Sequence, residues 1–345
     1  MFFVKKNLVG IDIGAHSIKI VALKESMGSY SLKAATSARL GPGAEPKAEE
    51  RAVSSFLLSG VFKSIGVKGA KAASVLSGQS VSFRHIYLPQ MPVKELKEAI
   101  KWEIRKEVPI APAELVSDYV FAHEGGRPSE NSLSIIAFAA KRGDVERIIR
   151  LFRESGTDLQ SLEAVPTALL ASFDANNEWE EGVNYSMCDI GSETSTLAIF
   201  KDRRLAFVRN LNFGGNEITG ALAGAMNTDY AEAEKAKMDL GLDGILGAGA
   251  DGPARRALEI FCNELHRSFD YYQAQFREGA VSKLFISGGT ACLQGIENFI
   301  TETTGIACFI DNPFRKIHVP KGLESIIKTA PLFTVAAGMA TRKPL

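Results

Sequence analysis

Apolar and polar positions follow one plan in two distant stretches. Residues 8–13 form an apolar run that carries a single acid, Asp12. Gly14, Ala15 and His16 then make a short polar turn, and residues 17–24 are apolar again. The plan returns at 185–200. There the run 185–190 carries Asp189, the turn is Gly191-Ser192-Glu193-Thr194, and residues 195–200 are the second apolar arm. Short runs rich in Ile, Val and Leu around a glycine turn predict β-hairpins. A hairpin plan that occurs twice is an internal repeat and predicts two related halves facing one nucleotide.

The remaining pattern fills in those halves. Strands are predicted at 30–39, 72–76, 159–164, 204–210, 283–286 and 307–310, and helices at 49–64, 166–173, 217–225, 230–240, 255–276, 293–303 and 332–340. Gly41-Pro42-Gly43 breaks the first sheet, and 241–252 is rich in glycine. Between the first strands and 164 the order is strand 81–88, helix 95–108, strands 117–123 and 133–140 joined by the polar loop 124–132, helix 143–154, and strand 159–164. That β-α-β-β-α-β order is enough for a small unit inserted into the first half. Lys97, Lys101 and Arg105 lie on one stripe of its first helix and read as a solvated face. The expected division is 1–78 with 159–183 as the first half, 79–158 as the insert, 184–213 with 280–345 as the second half, and 214–279 as a helical unit flanking the nucleotide.

Composition adds exclusions. The 345 residues favour two domains, and 46% apolar with 23% charged content is ordinary for a globular chain. Forty basic and forty acidic residues cancel, so bulk charge gives no sign of a nucleic-acid binder or of direct attachment to an anionic membrane. Cys188, Cys262, Cys292 and Cys308 show no Cys-x-x-Cys spacing, which suits buried thiols in a reducing cytoplasm. The five histidines show no metal-ligand spacing. The first seven residues are too short for a signal peptide, and no run of eighteen apolar residues occurs, so membrane insertion is not expected.

The two turns carry the candidate chemistry. Gly14 and Gly191 are expected to reach positive φ, so that successive N–H groups converge on an anion, and Ser17, Ser192, Thr194 and Ser195 can add hydroxyl donors. Asp12 and Asp189 end their strands at the same mouth. Carboxylates there would repel a bare triphosphate, and they make sense with a magnesium ion and its waters between. Lys19, just beyond the first turn, can reach a phosphate. Ser287-Gly288-Gly289-Thr290 ends a buried strand and Gly214-Gly215-Asn216 opens a helix; both let a ligand approach the backbone.

Two phosphate hairpins, a late Ser-Gly-Gly turn and a terminal small-residue helix resemble the superfamily of actin, Hsp-type chaperones and sugar kinases. The similarity narrows to the PilM family of actin-like type IV pilus assembly proteins, related to FtsA. The cues are Gly10-Ile11-Asp12-Ile13-Gly14 with Ser17 and Lys19, Leu88-Pro89-Gln90-Met91-Pro92 with Glu95-Leu96, Asp189-Ile190-Gly191, Gly214-Gly215-Asn216-Glu217, Ala233-Glu234 with Lys237, and Ser287-Gly288-Gly289. The resemblance covers residues 8–340 and implies an α/β actin-like ATPase fold of the ribonuclease H-like kind, with the insert where PilM and FtsA carry theirs.

The resemblance also implies roles. Asp12 and Asp189 would hold Mg2+ through water. Gly14, Ala15, His16, Ser17 and Lys19 would line the first phosphate turn, and Gly191, Glu193, Thr194 and Ser195 the second. Gly214 and Gly215 would lie beside the ATP, Glu234 and Lys237 near ribose or adenine, and Gly288, Gly289 and Thr290 around adenosine. His16 departs from the small or hydroxyl residue common in the superfamily; it either donates to phosphate or points outward. Glu163, just before Pro166-Thr167-Ala168, is the candidate for orienting water in hydrolysis. A slow ATPase and a structural ATP clamp both fit. The implied partner is the N-terminal cytoplasmic peptide of PilN, an inner-membrane protein, held in a groove beside the insert, with other pilus inner-membrane and motor components and self-association as further contacts. Only five residues follow Ala340, too few for an interfacial helix, so membrane association is expected to be peripheral and through partners. An FtsA-like filament former and a small-molecule kinase are the competing readings.

Overall fold

The structure is a computed structural model that describes residues 7–40, 53–67, 69–125, 131–246 and 252–342. The Gly41-Pro42-Gly43 break, the start of helix 49–64, most of loop 124–132, and parts of the 241–252 and 341–345 segments lie outside the described residues.

The first half begins with β1 (Asn7–Ile13), β2 (Ser17–Ser26) and β3 (Ser29–Arg39), followed by α1 (Ser55–Ser64) and β4 (Lys71–Leu76). Val9, Ile11, Ile18, Ile20, Val21 and Leu23 are all buried, so the two central strands are covered on both faces and read as near-continuous apolar runs. The Ser54 hydroxyl caps α1 by accepting from the Leu57 N–H at 3.1 Å.

Next come β5 (Val81–Pro89), α2 (Val93–Glu107), β6 (Leu115–Phe121), β7 (Ser132–Lys141), α3 (Arg142–Glu154) and β8 (Asp158–Ala164). The expected β-α-β-β-α-β order is present, but it is shared between two sheets. β5, β7 and β6 form a three-stranded sheet against which α2 lays Leu96, Ile100 and Ile104. β8 pairs in parallel with β4 instead, completing a five-stranded sheet in the order β3-β2-β1-β4-β8. α3 follows β8 into the first half, where Ile148, Leu151 and Phe152 pack with Ile11, Ile18, Leu58 and Phe62. The reason is topological. A parallel β4–β8 pair needs a crossover helix, and α3 supplies it after the excursion through β5–β7.

After α4 (Val165–Asn176) the second half repeats the first. β9 (Asn184–Ile190), β10 (Ser195–Lys201), β11 (Arg204–Leu211), β12 (Val281–Ser287) and β13 (Cys308–Ile310) form a sheet in the order β11-β10-β9-β12-β13. Between β11 and β12 lie α5 (Gly215–Met226), α6 (Tyr230–Leu246) and α7 (Pro253–Phe276). The helix expected at 293–303 is displaced: α8 (Ile296–Thr304) begins only after Gly295, whose φ of 88° interrupts the chain.

α9 (Thr334–Thr341) ties the halves together. Val335 and Met339 pack with Met187 and Phe200 of the second half, while Ala336, Ala337 and Ala340 pack on Val21 and Leu23 of the first. The contact is closer than side chains permit. A Cβ on Gly10 would lie 1.9 Å from the Ala336 carbonyl oxygen, and one on Gly338 would lie 2.0 Å from that of Ala168.

Candidate functional site

The two repeated hairpins face one another across a cleft of about 1600 Å³. Their turns are built alike. The Gly14 N–H donates to the Ser17 carbonyl and the Gly191 N–H to the Thr194 carbonyl, each at 3.1 Å. Neither glycine adopts the positive φ expected of it. Glycine is required for proximity at Gly191, where a Cβ would meet the Thr194 carbonyl at 2.8 Å; at Gly14 a Cβ would meet Lys19 Nζ at 2.8 Å, the mobile end of a side chain that could shift.

Register then places the acids. Asp12 lies opposite Lys19 across β1 and β2, and Asp189 opposite Thr196 across β9 and β10. Lys19 Nζ is 2.9 Å from Asp12 Oδ2. Among the described residues no cation is ion-paired with Asp189, which accepts from the Ser287 hydroxyl at 3.0 Å. Burial pushes the Asp189 carboxyl up to about 6, and the nearby Asp12 charge adds to the rise, against Lys19 and Ser287. Two converging carboxylates with one lysine leave a net negative centre that a divalent cation would neutralise. Among the described residues no group of three or more His, Cys, Asp or Glu could hold a metal, so a cation there would take most of its ligands from water or phosphate.

Gly14, Ala15, His16, Ser17, Lys19, Gly191, Glu193, Thr194, Gly215, Glu234, Lys237, Gly289 and Thr290 all line the cleft together with Asp12 and Asp189. Around them the third and fourth glycine turns close on the second hairpin. The Gly215 and Asn216 N–H groups donate to the Gly191 and Ser192 carbonyls at 2.9 and 2.8 Å, and the Thr290 hydroxyl donates to Gly191 at 2.9 Å. Lys237 spends its ammonium on the Gly215 carbonyl, the Thr219 hydroxyl and Glu234 Oε2, at 3.3, 2.8 and 2.6 Å. Burial alone would raise the Glu234 carboxyl, but Lys237, the Thr219 hydroxyl and the His16 charge together hold the group below its usual range. His16 stands on the cleft wall rather than away from it. Its imidazole is exposed on that wall; partial burial lowers its pKa, and the charge of Glu234, which lines the same cleft, opposes that.

Four expected site residues do not line the cleft. Ser195 is buried and donates its hydroxyl to the Phe213 carbonyl at 2.7 Å, because strand alternation turns it inward. Gly214 and Gly288 are packing positions. A Cβ at Gly214 would lie 2.4 Å from the Ser192 carbonyl carbon, and one at Gly288, where φ is +86°, would lie 2.4 Å from the Ile190 carbonyl oxygen. Glu163 sits on β8, ion-paired with Arg342 and accepting from the Thr167 hydroxyl at 2.8 Å. Burial raises its carboxyl, against the Arg342 charge and the Thr167 hydroxyl.

Sequence reasoning missed Thr196 and the segment Ser77-Gly78-Gln79-Ser80, all on the cleft wall. For Thr196 the signal was the period of two that places it beside Thr194. The cleft also runs on into a groove between the insert and the first half. Pro109 and Ile110 of the insert line this part together with Arg147, Ile148, Arg150 and Leu151 of α3.

Comparison with known proteins agrees with this architecture. The family described as type IV pilus assembly protein PilM matches residues 10–344. A solved PilM–PilN type IV pilus biogenesis complex contains a chain similar over 99% of both lengths, at 26% identity and a TM-score of 0.84. The ethanolamine utilization protein EutJ of Carboxydothermus hydrogenoformans is similar in fold alone, at 15% identity and a TM-score of 0.56 over 98% of this chain and 90% of that one. The cell division protein FtsA of Helicobacter pylori J99 is 23% identical over 59% of this chain, and the match spans only 45% of FtsA. Among the described residues no helix is long and apolar enough to cross a membrane. With two sheets of one topology, paired hairpins at a shared cleft and a family match over nearly its whole length, the chain has the actin-like ATPase fold and belongs to the PilM family of type IV pilus assembly proteins.

Proposed function

We propose that this pilus assembly protein binds ATP with Mg2+ in the cleft between its hairpins, and that the N-terminal cytoplasmic peptide of a PilN-type inner-membrane protein docks in the adjoining groove and so brings it to the inner membrane. The observation that carries the first part is the facing of Asp12 and Asp189 with Lys19 as the cation between the turns. The donor set fits the group. Two carboxylates would hold hydrated Mg2+, Lys19 and the turn residues Gly14 to Ser17 would meet phosphate, and the Glu234–Lys237 pair would flank the nucleoside. Bound Mg2+ would neutralise phosphate charge and so permit a triphosphate beside two acids. The proposal is one of binding. Glu163, the candidate for orienting water, is spent on Arg342 and Thr167.

The second part rests on the PilM–PilN complex that this chain resembles, and on the groove. Arg147 and Arg150 are exposed beside the apolar Ile110 and Leu151, a surface suited to an extended peptide with apolar anchors. Calorimetric titration of a PilN-type N-terminal peptide into ATP-loaded protein tests it. Saturable one-to-one binding that Arg150→Glu weakens about tenfold or more is expected. No heat and no pulldown with folded, nucleotide-loaded protein would sink it.

A further inference from the structure

The segment that leads from β4 of the first half into β5 of the insert is held by both hairpins. At its start the Ser77 hydroxyl donates to the Ile13 carbonyl, the last residue of β1, at 3.1 Å. Its middle and end are held by one side chain from the second half. Asn210 Nδ2 donates to the Gly78 carbonyl at 3.2 Å and to the Val81 carbonyl at 3.0 Å. Asn210 Oδ1 in turn accepts from the Thr196 hydroxyl at 3.0 Å. Thr196 lines the cleft and is the cross-strand partner of both Asp189 and Asn210. Two more features press the segment against the second hairpin. A Cβ on Gly78, at φ +65°, would stand 3.4 Å from the Thr194 hydroxyl, and Gln79 Nε2 donates to Asn212 at 3.4 Å.

Asn210 is thus a three-point clasp. Both amide hydrogens and the carbonyl oxygen are committed to polar partners, so the position of the first turn of the insert follows the position of Thr196. Asn210 itself does not line the cleft. The insert meets the second half again outside the cleft lining, where His123 Nε2 lies 3.0 Å from Glu278 and the His85 ring packs tilted against Phe276 with centroids 4.7 Å apart. Both contacts are to the second half, and Ala122 and Ile136 of the insert also pack with Ala198 and Phe200 of β10, so a shift of the second hairpin relative to the first half would carry the insert, with Pro109 and Ile110, relative to α3.

We propose that Asn210 is the positioning residue that couples nucleotide in the cleft to peptide affinity in the groove; this rests on the function proposed above. The physical content is a coupling free energy between two sites carried by a named hydrogen-bonded link.

The test is calorimetric titration of the PilN-type peptide into wild type and Asn210→Ala, each with and without ATP and Mg2+. In wild type the nucleotide is expected to change peptide affinity by about 5- to 150-fold. In Asn210→Ala the ratio should fall to within about twofold while each ligand still binds alone. Asn210→Asp keeps the acceptor for Thr196 and removes both donors to the insert, so it should uncouple in the same way if the alanine variant does not fold. A side chain that only stabilises would lower Tm and leave the ratio intact. A wild-type ratio of one with both ligands bound, or a full ratio in the variants, overturns the coupling and leaves the binding function standing. Failure of either ligand to bind wild type overturns the function, and the coupling with it.

Discussion

Lys19 and Thr196 occupy the same register in the two hairpins, one facing Asp12 and the other facing Asp189. The repeat is therefore symmetric in backbone and asymmetric in charge. One acid is paired with an ammonium at 2.9 Å, and the other is held by a serine hydroxyl, its pKa pushed up to about 6 by burial and by its acidic neighbour.

Removing Lys19 leaves two converging carboxylates without a cation. Lys19→Met is expected to lower the unfolding free energy by about 1–3 kcal/mol in the absence of divalent ions, since a nearly buried charge loses its partner. Millimolar Mg2+ should restore part of that loss, more than it stabilises wild type. Urea denaturation with and without MgCl2 reads both numbers.

Glu163 is expected to be structural. Its carboxylate joins β8 and α4 to Arg342, and it is not among the residues that line the cleft, although its strand partner Val75 is. Glu163→Gln should cost about 1–3 kcal/mol in stability and leave nucleotide affinity, and any turnover, within about twofold of wild type. Equilibrium denaturation beside a nucleotide titration separates the two. A large loss of nucleotide affinity with unchanged stability would return Glu163 to the site.

His85 sets an acid limit on the insert. It lies between Tyr87 and Phe276, its Nε2 is 2.8 Å from the Ser134 hydroxyl, and its buried Nδ1 has no partner. Burial lowers its pKa from 6.5 to about 4. The folded state thus refuses a proton that the unfolded chain accepts. Its contribution to stability is complete above pH 6.5 and is lost as pH falls from 6.5 toward 4. On the order of 2–3 kcal/mol should disappear across that window, at 1.36 kcal/mol per unit. His85→Phe should flatten that part of the profile, which unfolding at a series of pH values measures.

Much of this architecture can be read from the residues alone, and the parts that cannot share a cause. Asp12-Ile13-Gly14 and Asp189-Ile190-Gly191 announce the repeat because hairpin, acid and glycine are adjacent in sequence, and a local pattern is what periodicity detects. The partner of β8 is not local. The expected division gives 159–183 to the first half, while the β-α-β-β-α-β order groups the same strand with the insert; nothing in its seven residues names β4 as the neighbour, and the crossover geometry decides. Ser195 and Thr196 show a finer limit. The run of hydroxyls marks the wall, but only the pleat says that Thr196 faces the cleft and Ser195 the Phe213 carbonyl. Gly214 and Gly288 look like ligand contacts because phosphate turns and close backbone packing both demand glycine. Asn210 carries no sequence signal at all, since its partners lie more than 120 residues away in Gly78 and Val81.

The central claim is a two-sided, cation-dependent nucleotide site, and equilibrium titration of ATP tests it most directly. Wild type, Asp12→Asn and Asp189→Asn are each titrated with and without Mg2+. Saturable binding to wild type that weakens about tenfold or more when Mg2+ is withheld, with loss of that Mg2+ dependence in both variants, is the predicted result. Binding that is indifferent to Mg2+, or unchanged in both variants, would contradict it.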